Sequence, residues 1–413
     1  MDSIVILGRQ PALGLAELES LYGSAKVSLL GERAARVNVD PCLLAFDRLG
    51  GSLKFCRPLT TLDTTSWKRI EAFLAEVSPE HSQRMPEGKM HLGLSLIGFP
   101  EISLKRIMAT GLTVKKAINR ATGRTVRLVP NNEAELSTAQ VLHNKLARAN
   151  GWELICIRDG DKTIIAQTVK VQDITGYTKR DRERPRRDSR VGMLPPKLAQ
   201  MIINLAVGRL PETALKSICE IPAGEPIPAT VFGQTVLDPF CGTGVVLQEA
   251  LLMGYDVYGT DLEKRMIDYS AGNLEWLQEL QAVQGDKRLA VGDATTYTWQ
   301  APIDFVACET YLGRPFTEAP SAEMLAKTAS ECNLIIKKFL RNLHGQLKSG
   351  ARLCIAVPAW QIQPGKFKHL PLVDSLEEIG YNRVSFEHVR EQDLIYFRED
   401  QIVARQLLVI TRN

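Results

Sequence analysis

Nine residues constrain this chain more than any others: Val236-Leu237-Asp238-Pro239-Phe240-Cys241-Gly242-Thr243-Gly244. An apolar strand ends in Asp238, and two glycines then let the backbone turn tightly beneath a ligand before a helix begins. The rhythm that follows is that of a parallel sheet. Thr235–Leu237, Val257–Thr260, Leu289–Val291, Phe305–Cys308 and Arg352–Val357 read as strands. Val245–Met253, Leu262–Leu280 and a long segment from Ser321 to about Leu347 read as the intervening helices. The end of the chain departs from this rhythm. Leu394–Arg398, the polar turn Glu399-Asp400-Gln401 and Ile402–Thr411 predict an antiparallel hairpin closing the sheet.

Three acids follow three successive strands: Asp238, Asp261 and Asp293. In a doubly wound sheet these positions all face the crevice where ligands bind. Asp261 is placed to accept both hydroxyls of a ribose, and Asp293 to receive an adenine amino group. A dinucleotide site would need G-x-G-x-x-G, but the third glycine is replaced by Leu247. Asp238 also repels a pyrophosphate and attracts a cationic, amino-acid-like group. The pattern therefore predicts S-adenosylmethionine, held by Asp238, Pro239, Phe240, Gly242 and Gly244 of the loop. Asp261 and Leu262, then Asp293 and Ala294, complete the set.

Charge divides the 413 residues unevenly. Residues 1–100 carry 11 basic and 11 acidic side chains, residues 101–200 carry 20 and 10, and residues 201–413 carry 20 and 26. The middle segment is the footprint of a polyanion-binding module, or else a solvated basic surface. Before it, Ile4–Leu7 reads as a strand and Leu13–Leu21 as a helix, with a turn-rich stretch at Ser78–Gly88. From about Lys89 to Val171, His91–Leu96, Arg124–Val129, Trp152–Arg158 and Thr163–Val169 read as strands. Leu104–Thr122 and Ser137–Asn150 read as helices. The eight cysteines include no C-x-x-C pair, which argues against a zinc site and fits a reducing compartment. No apolar run approaches the ~20 residues of a membrane span. Met1-Asp2-Ser3 lacks the basic start of a secretory signal, so a cytoplasmic protein without a metal is expected.

Leu237–Gly244 followed by Gln248-Glu249-Ala250 resembles the D-P-F-C-G-T-G-(x)n-E-A loop of THUMP-domain RNA methyltransferases, most closely the tRNA guanosine-10 N2-methyltransferases. Leu7-Gly8-Arg9-Gln10-Pro11 with Leu15–Leu18 is similar to that family's opening, and Tyr396–Asp400 with Val403 and Arg405 to its closing hairpin. The resemblance implies a ferredoxin-like domain over 1–88, a THUMP domain over 89–171, a basic connector over 172–193 and a class I (Rossmann-like) methyltransferase domain over 194–413. It also implies tRNA as partner, with a small zinc-binding activator subunit used by some relatives. Arg180, Asp181, Arg184 and Pro185 match the family's R-D-x-x-R-P connector, and the following Leu194–Ala199 places Lys197 beside the methionine carboxylate. Seven bases and three acids lie between Tyr177 and Arg190. Lys179, Arg180, Arg184 and Arg187 are the candidate RNA-phosphate contacts. Internal pairing with Asp181 and Asp188 is the alternative for the same arginines.

The fourth strand departs from the family. Amino methyltransferases place D-P-P-Y or N-P-P-Y there, but this chain reads Cys308-Glu309-Thr310-Tyr311-Leu312-Gly313-Arg314-Pro315. Three readings stay open. Glu309 accepts from an exocyclic amine while Tyr311 stacks on the base; Cys308 attacks a pyrimidine carbon; or the chain is an RNA-binding pseudo-methyltransferase. Methylation of an amine in DNA is the further alternative for the substrate.

Overall fold

The computed structural model describes residues 2–188, 194–222, 225–300, 302–314, 316, 320–399 and 401–413. The chain forms two compact units. One comprises Met1–Pro11, Ala25–Phe46 and Ser52–Ile174, the other Ala12–Ser24, Asp47–Gly51 and Thr175–Asn413.

In chain order the first half carries β1 (Ser3–Leu7), α1 (Pro11–Tyr22), β2 (Val27–Leu30), β3 (Ala34–Val37), β4 (Ser52–Leu62), α2 (Trp67–Gln83), β5 (Met90–Ile97), α3 (Leu104–Thr122), β6 (Val126–Leu128), α4 (Thr138–His143), β7 (Gly151–Asp159), β8 (Lys162–Val171) and α5 (Ile174–Arg182). The first unit holds one eight-stranded sheet, in the order β2-β3-β1-β4-β8-β7-β5-β6. This sheet is continuous across residue 88, where the sequence suggests a boundary, because β4 pairs antiparallel with β8.

Local chemistry accounts for its departures from expectation. Instead of turning at Ser78, the chain continues as α2 to Gln83, with Ile70, Leu74, Ser78 and Ser82 buried along it. The two serine hydroxyls are satisfied within the helix, by Leu74 O and Pro79 O. The helix expected over 137–150 shrinks to α4. It opens on a Ser137–Gln140 capping box and stops where Lys145 adopts a left-handed φ of 57°. The helix predicted over 104–122 matches α3, capped by Ser103 and ended by Gly123.

The second half carries α6 (Pro196–Val207), α7 (Glu212–Cys219), β9 (Thr235–Asp238), α8 (Val245–Leu252), β10 (Asp256–Asp261), α9 (Lys264–Gln281), β11 (Lys287–Val291), β12 (Phe305–Glu309), α10 (Ala322–His344), β13 (Arg352–Gln363), β14 (Lys366–Lys368), β15 (Tyr381–Arg383), β16 (Ile395–Tyr396) and β17 (Val403–Arg412). The strand order is β11-β10-β9-β12-β13-β17-β15. The first five strands are parallel, and β17 is antiparallel to both β13 and β15. This is a doubly wound α/β, Rossmann-like sheet with an antiparallel end. Its order reverses between β9 and β12, which is where such sheets bind ligands.

One correction concerns the closing hairpin. Only Ile395 and Tyr396 of the expected strand pair with β17, and the three-residue β15 takes the sheet edge instead. Asp400, in the expected turn, lies outside the described residues, as do Pro315 and residues 189–193 at the end of the connector. The core includes Leu237, Val306, Cys308, Leu353, Ile355 and Leu408 from the sheet and Ile336, Phe339, Leu340 and Leu343 from α10. Among the described residues, no helix is long and apolar enough to cross a membrane.

Candidate functional site

The site is the carboxyl edge of the second sheet. β9 ends in Asp238, which is buried; its Oδ1 accepts from Phe240 N at 3.1 Å. The loop then turns back on the neighbouring strand: Cys241 N donates to Thr260 O at 3.0 Å, and Gly242 N donates to Asp261 Oδ2 at 2.9 Å. Gly244 caps α8 in the left-handed region at φ 82°. A Cβ there would come within 2.9 Å of Ser270 Oγ, so both conformation and space require glycine. Ser270 and Asn273 of α9 donate to Gly242 O and Thr243 O, each at 2.8 Å, and hold the loop from below.

Asp261 ends β10. Its second oxygen accepts from Glu263 N at 3.0 Å. Burial raises its carboxyl above the ordinary range. Asp238 is pushed up further, chiefly by burial and then by the neighbouring charges of Asp261 and Glu309. Three acids from adjacent strands thus share one electrostatic environment that favours a cation or hydroxyl donors. Asp293 lies one strand farther out, exposed, with Oδ1 accepting from Thr295 N at 2.8 Å. Leu262 stands beside this edge 69% exposed. Pro239 and Ala294 are buried, and Phe240 packs edge-on against Phe339 with ring centres 5.0 Å apart. Among the described residues, no cluster of His, Cys, Asp or Glu is arranged to ligate a metal.

β12 delivers Glu309 to the same edge, paired in register with Ala356 of β13. Its Oε1 accepts from Arg405 Nε at 2.7 Å, and both side chains are largely buried. Arg405 also donates to Gln401 Oε1 at 3.3 Å. Sequence reading missed this partner, since 96 residues separate the two. Tyr311, just beyond the strand, is 36% exposed, and Gly313 turns the chain at φ 88°. A Cβ on Gly313 would meet Thr328 Cγ2 at 2.6 Å. Cys308 does not fit a nucleophilic role. It is fully buried in the apolar core, and burial followed by the charge of Asp238 raises its thiol well above the ordinary value.

The connector is anchored more deeply than a run of bases suggests. Arg180 is buried and clasps Glu249 of α8, Nε to Oε1 at 2.6 Å and Nη2 to Oε2 at 3.2 Å. Its guanidinium also lies 4.9 Å from the Tyr177 ring centre. Arg184 is buried as well, and burial lowers its pKa. Arg180 is thereby corrected from a phosphate contact to an internal one, and Arg184 is corrected from an exposed contact to a buried side chain whose Nε and Nη2 have no hydrogen-bond partner among the described residues. Asp188 pairs with Arg265 at 3.0 Å, and the Asn273 side chain accepts from Arg186 N and donates to Arg186 O, each at 2.9 Å. Lys179 and Arg187 remain exposed. Lys197, at the start of α6, is partly buried; burial lowers its pKa, and its ammonium lies 5.2 Å from the Tyr177 ring centre.

Known proteins share parts of this chain. A family described as DNA methylase matches residues 131–272. The tRNA (guanine(10)-N2)-dimethyltransferase of Methanothermobacter thermautotrophicus is 27% identical over 170 residues, which is 40% of this chain and 39% of that protein. The enzyme of the same name from Pyrococcus abyssi is 31% identical over 128 residues, 31% of this chain and 30% of that protein. The chain thus spans well under half the length of the curated relatives it matches. The crystal structure of TrmN from Thermus thermophilus superposes with a TM-score of 0.52 at 14% identity, covering 100% of both chains, and so shares the fold.

Proposed function

We propose that this chain transfers a methyl group from S-adenosylmethionine to an exocyclic amine of a tRNA base, guanine N2. The observation that carries the proposal is the convergence of Asp238, Asp261 and Glu309 at adjacent strand ends beside the glycine loop. The names and partial similarity of the tRNA-modifying relatives supply the substrate class.

The donor set suits this cofactor. A buried acid cluster favours a cationic amino-acid end over a pyrophosphate. Asp238 would hold the ammonium and Lys197 the carboxylate. Asp261 would accept the ribose hydroxyls with the lone pairs that Gly242 and Glu263 leave open. Asp293 and Ala294 would receive the adenine, with Leu262 covering it. When bound, the cofactor supplies an electrophilic methyl group.

The chain's own contribution is at the amine. Glu309 accepts a hydrogen bond from the NH2 group, localises the nitrogen lone pair and takes up the proton once the N–C bond has formed. Tyr311 stacks on the base. Arg405 fixes Glu309 through one oxygen and leaves the other for the amine. RNA is held by the unit with the eight-stranded sheet, in which residues 89–171 act as a THUMP-type region and the strands of 1–88 as a ferredoxin-like companion sharing that sheet. The exposed Lys105, Lys116 and Arg120 on α3, with Lys179 and Arg187 of the connector 172–193, support this reading. A cytoplasmic location fits a tRNA substrate.

Calorimetry with S-adenosylmethionine, its demethylated product and NAD tests the cofactor: binding of NAD without the other two contradicts the proposal. Labelled methyl transfer to tRNA and to DNA, by the chain alone, tests the substrate. Incorporation into DNA instead supports the amine-methylating DNA reading suggested by the methylase match. Cofactor binding without transfer to either supports a pseudo-enzyme or the need for a small zinc-binding partner.

A further inference from the structure

β12 stops at Glu309, opposite Ala356, but β13 continues for seven more residues, through Gln363. At ~3.3 Å per residue this is about 23 Å of strand beyond the last parallel pairing. The overhang is covered by antiparallel neighbours. β14 pairs Lys368 with Trp360 and Phe367 with Gln361, while Val403 of β17 pairs with Trp360 and β16 flanks β17 at Tyr396–Arg405. A small apolar cluster of Ala359, Ile395 and Ala404, with Phe367 and Phe397, gives the flap its own core. Phe367 and Phe397 lie 5.4 Å apart. Arg405 sits at the root of this flap, opposite Pro358, and reaches Glu309.

The β13–β14 arm of the flap differs in charge from the β16–β17 turn, which carries Glu399 and Asp400. Residues 360–369 carry two lysines and a histidine and no acid, within a C-terminal half that is acidic overall. Lys366 is exposed, and neither it nor Lys368 forms an ion pair among the described residues. Ile362, at the tip, is 57% exposed. Charge without partners beside uncovered apolar surface suits a single strand of nucleic acid, whose phosphates take the lysines and whose unstacked bases take the apolar side chain. Continuity with the catalytic edge decides which strand.

We infer that this flap is a contact surface for the RNA strand flanking the target nucleotide, an inference that rests on the RNA-methyltransferase reading above. Lys366 and Lys368 meet the backbone, Ile362 lies against a neighbouring base, and the Arg405–Glu309 pair aligns the flap with the catalytic carboxylate.

The test uses the full chain with tRNA and S-adenosylmethionine. The double variant K366E/K368E should raise KM for tRNA at least tenfold with kcat within threefold. Calorimetric affinity for the cofactor should not change. The neutral variant K366A/K368A should flatten the slope of log affinity against log salt by about 1.5, from roughly 0.7–0.9 per phosphate contact. A photo-crosslinking residue placed at 362 should label tRNA. Unchanged KM and slope, or no crosslink from a chain that still methylates tRNA, overturns the flap inference alone. A wild-type chain that binds no RNA overturns the functional reading and this inference with it.

Discussion

The two halves of the candidate edge are built differently. At the ends of β9, β10 and β11 each carboxylate is fixed by nearby backbone. Asp238 accepts from Phe240, Asp261 from Gly242 and Glu263, and Asp293 from Thr295, partners 2 to 19 residues away. At the end of β12, Glu309 is fixed by a side chain 96 residues later. The proposed cofactor half is therefore written locally, in the turn that follows each strand. The proposed target half depends on the antiparallel closure of the sheet, which puts Arg405 on β17, one strand beyond β13, from where its side chain reaches Glu309.

The largest effect expected from separating these halves is on chemistry. Glu309→Gln should lower single-turnover methyl transfer by about 10²–10⁴, the usual scale of acid–base assistance, with cofactor affinity unchanged. An equal loss of cofactor binding would merge the two halves. Asp261→Ala should do the reverse, weakening S-adenosylmethionine by ~2–4 kcal/mol in calorimetry, since a charged acceptor of two hydroxyls is lost.

Glu17 on α1 supplies a control carboxylate outside the edge. It is buried, accepts from Gly50 N and Gly51 N at 2.9 Å and from Asn204 at 2.7 Å, and burial raises its pKa to about 7. The folded state thus holds its proton more tightly than the unfolded chain. The stability it contributes is present below pH ~4.5 and is lost as pH rises to about 7. Glu17→Gln should remove up to about 3 kcal/mol of that pH dependence in thermal unfolding, at ~1.4 kcal/mol per pKa unit, and leave cofactor affinity at fixed pH unchanged. A changed affinity would mean that the edge is coupled to α1.

The smallest effect concerns the long-range pair. Arg405→Ala should slow transfer by about tenfold, and combined with Glu309→Gln should add little, because both variants remove one interaction. Additive losses would show that Arg405 acts on the substrate independently of Glu309.

Much of the second unit was legible because its strands are short apolar runs ended by acids or glycine. The strands at β9 to β12 and the helix α8 fall within a residue or two of expectation. The first unit was harder to read. β4 contains Pro58 and places Lys54 in the interior, where Nζ donates to Glu153 and to Leu136 O at 2.7 Å. A buried ion pair reads as surface in a sequence. The same confusion affected Arg180 and Arg184, whose burial depends on Glu249 and on packing that no spacing records. β15 escaped notice because three residues carry no periodicity. The candidate site followed the same division: its acids were readable one by one, whereas the partner of Glu309 was not.

The activity proposed for this edge is methylation of an exocyclic amine. Its most direct test is nucleoside mass spectrometry of tRNA after incubation with the full chain and S-adenosylmethionine. Methylguanosine carrying the new group on N2 is expected from the wild-type chain and its absence from Glu309→Gln. Methylation at a ring carbon, or turnover undiminished in that variant, would contradict it.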